Sequence, residues 1–312
     1  MKTPFTSSPI FCGVALSAAI LCAAAAVQAD PIYTFNNLQP GLLVGQDNWT
    51  QWQPLESTTF NQTVSYGTGS NTTLVAGTPV GEGSSQAGIV ARVNDSNYAF
   101  SSYTGTETDA TLEFDFQYQP NDSYQGGARF GLAADIDGNN TIENTTEWGP
   151  MFGVSRSNKN AFGPLKFYLR LTGAGTQMYS GFTVAEQVEE NAVAGDWLRL
   201  RLVIDFTANF GDGSGTLYWK NLTLGNDFTL VAGMDYVDLD LSSGPAPSTW
   251  NTMITRIDSR DMGPNPSELD ANVVAYDNLN PNVNAVIPEP STLALLASGL
   301  LGLLCYAWKK RR

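Results

Sequence analysis

No histidine occurs anywhere in the 312 residues. Without an imidazole there is no Ser-His-Asp or Cys-His nucleophile system, no HExxH zinc site and no histidine general base. Cysteine is almost as scarce. Cys12, Cys22 and Cys305 are the whole set, all within the two end segments, so the body between them has no thiol. A small disulfide scaffold is therefore excluded, and an exported body must be held by its core and by any bound ions. Positive charge is short too: 16 Lys+Arg stand against 30 Asp+Glu, a formal charge of -14. That balance excludes a nucleic-acid partner, which needs a basic footprint to displace counterions from phosphates. Hydrophobic residues, at 42%, and aromatic residues, at 11%, are present in the amounts a large packed core requires.

The ends read as addresses. Residues 1–29 have the form of a secretory signal peptide: Lys2 as the positive region, an apolar stretch from Ile10 to Val27, and Val27-Gln28-Ala29 as a small-residue cleavage site before Asp30. At the other end, Ser291–Trp308 is an eighteen-residue run without charge, followed by Lys309, Lys310, Arg311 and Arg312. As a helix that run would rise about 27 Å, enough for a bilayer hydrocarbon core. The four cations would hold its end on the cytoplasmic side. The expected organisation is a signal peptide at 1–29, a body at 30–280, a linker at 281–290, a transmembrane helix at 291–308 and a basic tail at 309–312. Removing the ends leaves eleven Lys/Arg against 29 Asp/Glu in Asp30–Ile287, close to -18.

Val286-Ile-Pro288-Glu289-Pro290-Ser291-Thr292, then Leu293–Trp308, then Lys309–Arg312, resembles the PEP-CTERM sorting signal of Gram-negative bacteria in order and spacing. The resemblance implies recognition of Pro288, Glu289 and Pro290 by a transpeptidase-like exosortase in the inner membrane, with cleavage near them. It further implies delivery to the cell surface or the exopolysaccharide matrix. It carries no statement about the body's activity.

The body shows period-2 alternation rather than a helical period. Leu112, Phe114, Phe116 and Tyr118 alternate with Thr111, Glu113, Asp115 and Gln117; Leu165, Phe167, Leu169 and Leu171 alternate with Lys166, Tyr168, Arg170 and Thr172; Leu198, Leu200, Leu202, Ile204 and Phe206 alternate with Arg199, Arg201 and Asp205. Such segments predict strands with one buried and one polar face. Shorter strands are predicted at Ala87–Val93, Ala128–Ala134, Met151–Ser155, Gly215–Leu224 and Asn272–Leu279, with Gly/Asn/Asp/Ser turns between them. Only Val184–Val193 suits a short helix. The prediction is all-β: one antiparallel β-sandwich. Gly195-Asp-Trp197-Leu-Arg-Leu-Arg-Leu-Val-Ile-Asp205, Gly215-Thr-Leu-Tyr218 and Ala275-Tyr-Asp277-Asn278-Leu279 resemble the strands of concanavalin A-like (laminin G or glucanase) jelly rolls. That resemblance implies the fold and leaves the function open.

Three runs are candidates for chemistry. Asp135, Asp137, Asn139 and Glu143 alternate oxygen donors as a calcium loop would; the competing reading is a polar turn, since glycine falls at the fourth position instead of the sixth. Glu113-Phe-Asp115-Phe-Gln117 is similar to the first half of the E-x-D-x-x-E strand of laminarinase-type glycoside hydrolases. It lacks the second Glu that retaining hydrolysis needs about 5 Å from the first, so it reads as an outward polar face. Trp49 and Trp52, in a polar stretch, are candidates for exposed sugar-stacking indoles, whereas Trp197 and Trp219 in strand patterns read as core. The eight Asn-x-Ser/Thr sequons read as a by-product of an Asn/Thr-rich surface. The function expected from all this is a non-enzymatic module that binds polysaccharide or builds the matrix. A glycan-active hydrolase or lyase is the rival reading.

Overall fold

The computed structural model describes residues 32–51, 60–66, 73–79, 86–100, 107–118, 127–139, 145–156, 165–173, 176–188, 191–259 and 275–281. The expected signal peptide, the Pro-Glu-Pro motif, the apolar segment 291–308 and the basic end lie outside them, as do Trp52 and Glu143. Among the described residues no helix is long and apolar enough to cross a membrane.

Two antiparallel sheets make the sandwich. The nine-stranded sheet runs β1 (Gly41–Leu42), β3 (Phe60–Tyr66), β4 (Thr73–Pro79), β16 (Ala275–Asn280), β6 (Asp109–Gln117), β11 (Trp197–Asp205), β12 (Ser214–Asn221) and β13 (Thr229–Leu230), with β14 (Val237–Asp238) also paired to β12. The seven-stranded sheet runs β10 (Gln177–Thr183), β9 (Leu165–Arg170), β8 (Trp148–Arg156), β7 (Gly127–Ala133), β15 (Thr252–Ser259), β5 (Gln86–Val93) and β2 (Trp49–Gln51). One short helix, α1 (Val184–Val188), falls within the predicted helical stretch.

Alternation decides which side chains meet. Leu112, Phe114 and Phe116 of β6 and Leu198, Leu200, Leu202 and Ile204 of β11 are buried on the inner face. There the Phe114 ring lies 6.1 Å from Phe130 of β7 and 5.4 Å from Phe152 of β8, so the two sheets share one core. Glycine lets β7 and β8 close up: a Cβ on Gly153 would stand 2.1 Å from the Ala128 carbonyl oxygen.

The outer faces depart from the expected polar surface. On the seven-stranded sheet, Ile89, Ala91, Ala133, Trp148, Met151, Tyr168 and Ile254 form a second buried apolar cluster. That sheet is therefore apolar on both sides, and β15, buried on both faces from Thr252 to Thr255, has no period-2 pattern to reveal it. The two ends of the body are zipped together: the Tyr33 N–H donates to the Leu279 carbonyl at 2.7 Å, and the Leu279 N–H returns the bond at 3.0 Å.

Candidate functional site

The most site-like constellation lies on the outer face of the nine-stranded sheet. Register places Asp277 of β16 opposite Asp115 of β6, and Asp115 opposite Arg199 of β11; one row along, Glu113 stands opposite Arg201. Arg199 Nε donates to Asp115 Oδ1 at 2.6 Å and its Nη2 to Oδ2 at 2.9 Å, a bidentate pair. Arg201 Nε donates to Glu113 Oε1 at 2.5 Å, and Arg199 Nη1 lies 3.5 Å from Glu113 Oε2. Asn278 Nδ2 completes the ladder with a 2.7 Å bond to Asp115 Oδ2. Above it the Phe228 ring stacks 3.6 Å from the Arg201 guanidinium carbon and 4.6 Å from Lys220 Nζ.

Glu113 and Asp115 do point outward, as predicted, but they are not a wet polar face. Asp115 is 1% exposed and Asp277 likewise 1%. Asp277 Oδ2 is buried without a hydrogen-bond partner among the described residues. Burial pushes the Asp277 carboxyl up to about 7; the Asn278 backbone N–H works against that rise, and the facing Asp115 adds to it. The salt bridge to Asp115 in turn holds the Arg199 guanidinium firmly charged. A carboxyl of raised proton affinity that faces a second acidic side chain is the raw material of acid–base chemistry. Here, however, both are buried, and Asp115 is held in an ion pair with Arg199 that a substrate would have to displace.

The other predicted residues take different roles. Asp135 Oδ1 accepts the N–H groups of Gly138 (3.0 Å) and Asn139 (3.2 Å), and Asp137 Oδ2 accepts Asn139 Nδ2 at 2.9 Å. These are the bonds of the competing reading, a self-capped polar turn. Among the described residues no three Asp or Glu side chains gather at one point; Glu143, the fourth residue of the calcium reading, lies outside them. Trp49 is corrected outright: it is 1% exposed, packs tilted against Phe35, and donates its indole N–H to Tyr33 Oη at 2.9 Å. The polar residues around it in sequence serve a buried network instead. Asp47 and Asp95 pair with the fully buried Arg92, whose guanidinium also lies over the Tyr33 and Tyr98 rings. Trp219 is core as expected, while Trp197 is only half-buried on the outer face.

The outer face of the seven-stranded sheet carries an aromatic–guanidinium layer that sequence reasoning missed. Arg129 lies 4.2 Å over the Tyr168 ring and donates to Ser155 Oγ; Arg170 lies 3.6 Å over Trp148. Tyr168 meets Tyr179 edge-on at 5.4 Å. Alternation signalled which residues share this face, but not that the face is buried.

Comparison with solved structures gives several likenesses of low identity, among them the following three. A xylan β-1,4-xylosidase from Bacillus halodurans is 14% identical with a TM-score of 0.36, over 73% of this chain and 37% of that one, so the chain spans little more than a third of that enzyme. The Emp46p carbohydrate recognition domain in its potassium-bound form is 12% identical with a TM-score of 0.38, over 81% of this chain and 100% of that one. A GlcNAcα1-4Gal-releasing endo-β-galactosidase from Clostridium perfringens is 10% identical with a TM-score of 0.39, over 90% and 67%. The curated proteins contain no match. Residues 286–312 match the family model described as the PEP-CTERM protein-sorting motif, so the chain ends in the signal of an exosortase-sorted, exported protein with a membrane-anchored precursor.

Proposed function

We infer that the sandwich is a non-enzymatic polysaccharide-binding module, carried by the sorting tail to the cell surface or the exopolysaccharide matrix after a transient stay in the inner membrane. The observation that carries the non-enzymatic part is the sealing of the ladder: Asp115 and Asp277 are each 1% exposed, and Asp115 is held bidentate by Arg199. A hydrolase needs its two carboxyls open to a glycosidic bond, with room for the sugar ring between them. The polysaccharide part is supported by the destination that the tail at 286–312 implies.

The test uses the full-length chain in detergent, incubated with the exopolysaccharide of the producing cell. The protein should co-sediment with the polymer and release no reducing ends. New reducing ends, or a falling polymer length, would overturn the non-enzymatic reading; absence of co-sedimentation would overturn the binding reading.

A further inference from the structure

The body is strongly acidic, yet one strip of its surface is basic. Alternation sends Trp197, Arg199 and Arg201 of β11 to the outer face of the nine-stranded sheet, with Tyr218 and Lys220 of β12 beside them. All five are half-buried. Register sets Arg199 opposite Lys220 and Arg201 opposite Tyr218. Like charges directly opposite one another on a sheet are unfavourable, and Lys220 has no carboxylate partner among the described residues. Its ammonium instead lies 4.6 Å from the Phe228 ring, which also stacks 3.6 Å from the Arg201 guanidinium carbon. One ring thus holds two cations in place.

The acids of the neighbouring ladder do not cancel this charge at the surface. Glu113 and Asp115 lie beneath, their side chains 8% and 1% exposed, whereas Arg199 and Arg201 above them are 21% and 35% exposed. Arg201 gives Nε and Nη2 to Glu113 and has no partner for Nη1 among the described residues. Arg201 Nη1 and Lys220 Nζ are therefore two fixed donors with hydrogen-bonding capacity to spare. Acid charge returns at the margins, with the exposed Asp227 next to Phe228 in the chain and Asp235 on Thr216, one row beyond Tyr218. From Trp197 to Arg201 the strip is about 14 Å long, four strand residues.

We propose that this strip, Trp197, Arg199, Arg201, Tyr218 and Lys220 with Phe228 as their support, binds an acidic polysaccharide. The assignment rests on the polysaccharide-binding reading above and names the ligand class and the place. Carboxylates of a polyuronate chain pair with Arg201 and Lys220. The half-buried Trp197 and Tyr218 rings at the two ends of the cation row offer apolar surface to sugar C–H faces. The narrowness of the strip selects a chain. An anionic bilayer would press the flanking aspartates, in a body close to -18, against like charge, whereas a single polymer strand touches the cations alone.

The test is affinity electrophoresis of the full-length chain in detergent through gels holding alginate, dextran or polyglutamate. Wild type should be retarded by alginate and not by the other two. Lys220→Glu should weaken alginate retardation about fivefold or more, with Lys220→Gln as a milder second variant and Lys220→Arg keeping it. Lys220→Glu faces Arg199, so its Tm should match or exceed that of wild type, which separates lost binding from lost fold. Trp197→Ala should weaken retardation about threefold or more without any change of charge. Lys166→Glu, the same change of charge on β9 of the other sheet, should leave it unchanged. Alginate retardation indifferent to Lys220→Glu and Lys220→Gln, or reduced as much by Lys166→Glu, would overturn the site. Dextran retarding as strongly as alginate would overturn the acidic class, and polyglutamate doing so would replace the polysaccharide by an acidic peptide. No retardation by alginate, with co-sedimentation of the producer's polymer intact, would overturn this assignment and leave the binding reading standing. Loss of both would overturn both.

Discussion

Asp277 shows how a single side chain can set a property of the whole fold. Its carboxyl is buried facing another carboxylate, Asp115, so the folded state holds its proton up to about pH 7, against an ordinary value of 3.8. The folded state therefore binds the proton more tightly than the unfolded chain. The stability this contributes is complete below about pH 4 and is lost as pH rises through about 7. A shift of about three units corresponds to up to about 4 kcal/mol. Asp277→Asn keeps the shape without the charge, so it should flatten the fall in Tm between pH 5 and pH 8 and raise Tm at pH 8. A wild-type Tm independent of pH over that range would contradict the raised proton affinity of the buried Asp277 carboxyl. Little of this was legible in the sequence. The Asp277-Asn278 pair stood out in the last strand, but Asn278 and its partner Asp115 are 163 residues apart, and alternation along β6 placed Asp115 outward without showing what would bury it. Trp49 misled for the converse reason: its polar neighbours serve a buried arginine rather than water.

At the scale of the element, strands whose residues alternate in polarity announced themselves, even where both faces are buried, and strands without that alternation did not. β6, β9 and β11 alternate, and the structure places them where the pattern did. β15 is buried on both sides, which erases the alternation, and β7 is buried along its whole length. The inner strands β7 and β8 depend on missing side chains as much as on present ones. Gly153 has φ +156°, and a Cβ there would meet Ala128 O at 2.1 Å and Arg129 Cα at 2.7 Å, both backbone atoms that cannot step aside. Gly153→Ala should cost about 2–3 kcal/mol or more, read from urea denaturation. Gly181→Ala, on edge strand β10 where nothing lies within 4 Å, should stay within about 0.5 kcal/mol of wild type. Equal costs at the two positions would mean that the β7–β8 approach is looser than described. The ladder belongs to this scale too: Arg199 and Arg201 stitch β11 to β6, and removing one partner strands a buried charge, typically at 3–5 kcal/mol.

The whole molecule is organised around its last strand. β16 is the final strand described, yet it lies inside the nine-stranded sheet between β4 and β6. Tyr276 and Leu279 are in the main core, Leu279 closes on Tyr33, and Asp277 and Asn278 enter the charge ladder. Without β16 the sheet would split into two halves with unpaired backbone along β4 and β6, a cost no loop could offset. The sorting motif begins at 286, a few residues beyond Asn280, so a cut near Pro288–Pro290 frees the sandwich without taking any of the strands that hold it together. This predicts a sharp boundary. A chain ending at residue 281 should melt cooperatively with the Tm of the full-length protein, whereas a chain ending at 274 should lose its cooperative transition, as followed by near-ultraviolet circular dichroism. A folded, cooperative 274-residue product would show that the sheet closes without its central strand, and the tail would then be joined to a dispensable segment rather than to the keystone of the cargo.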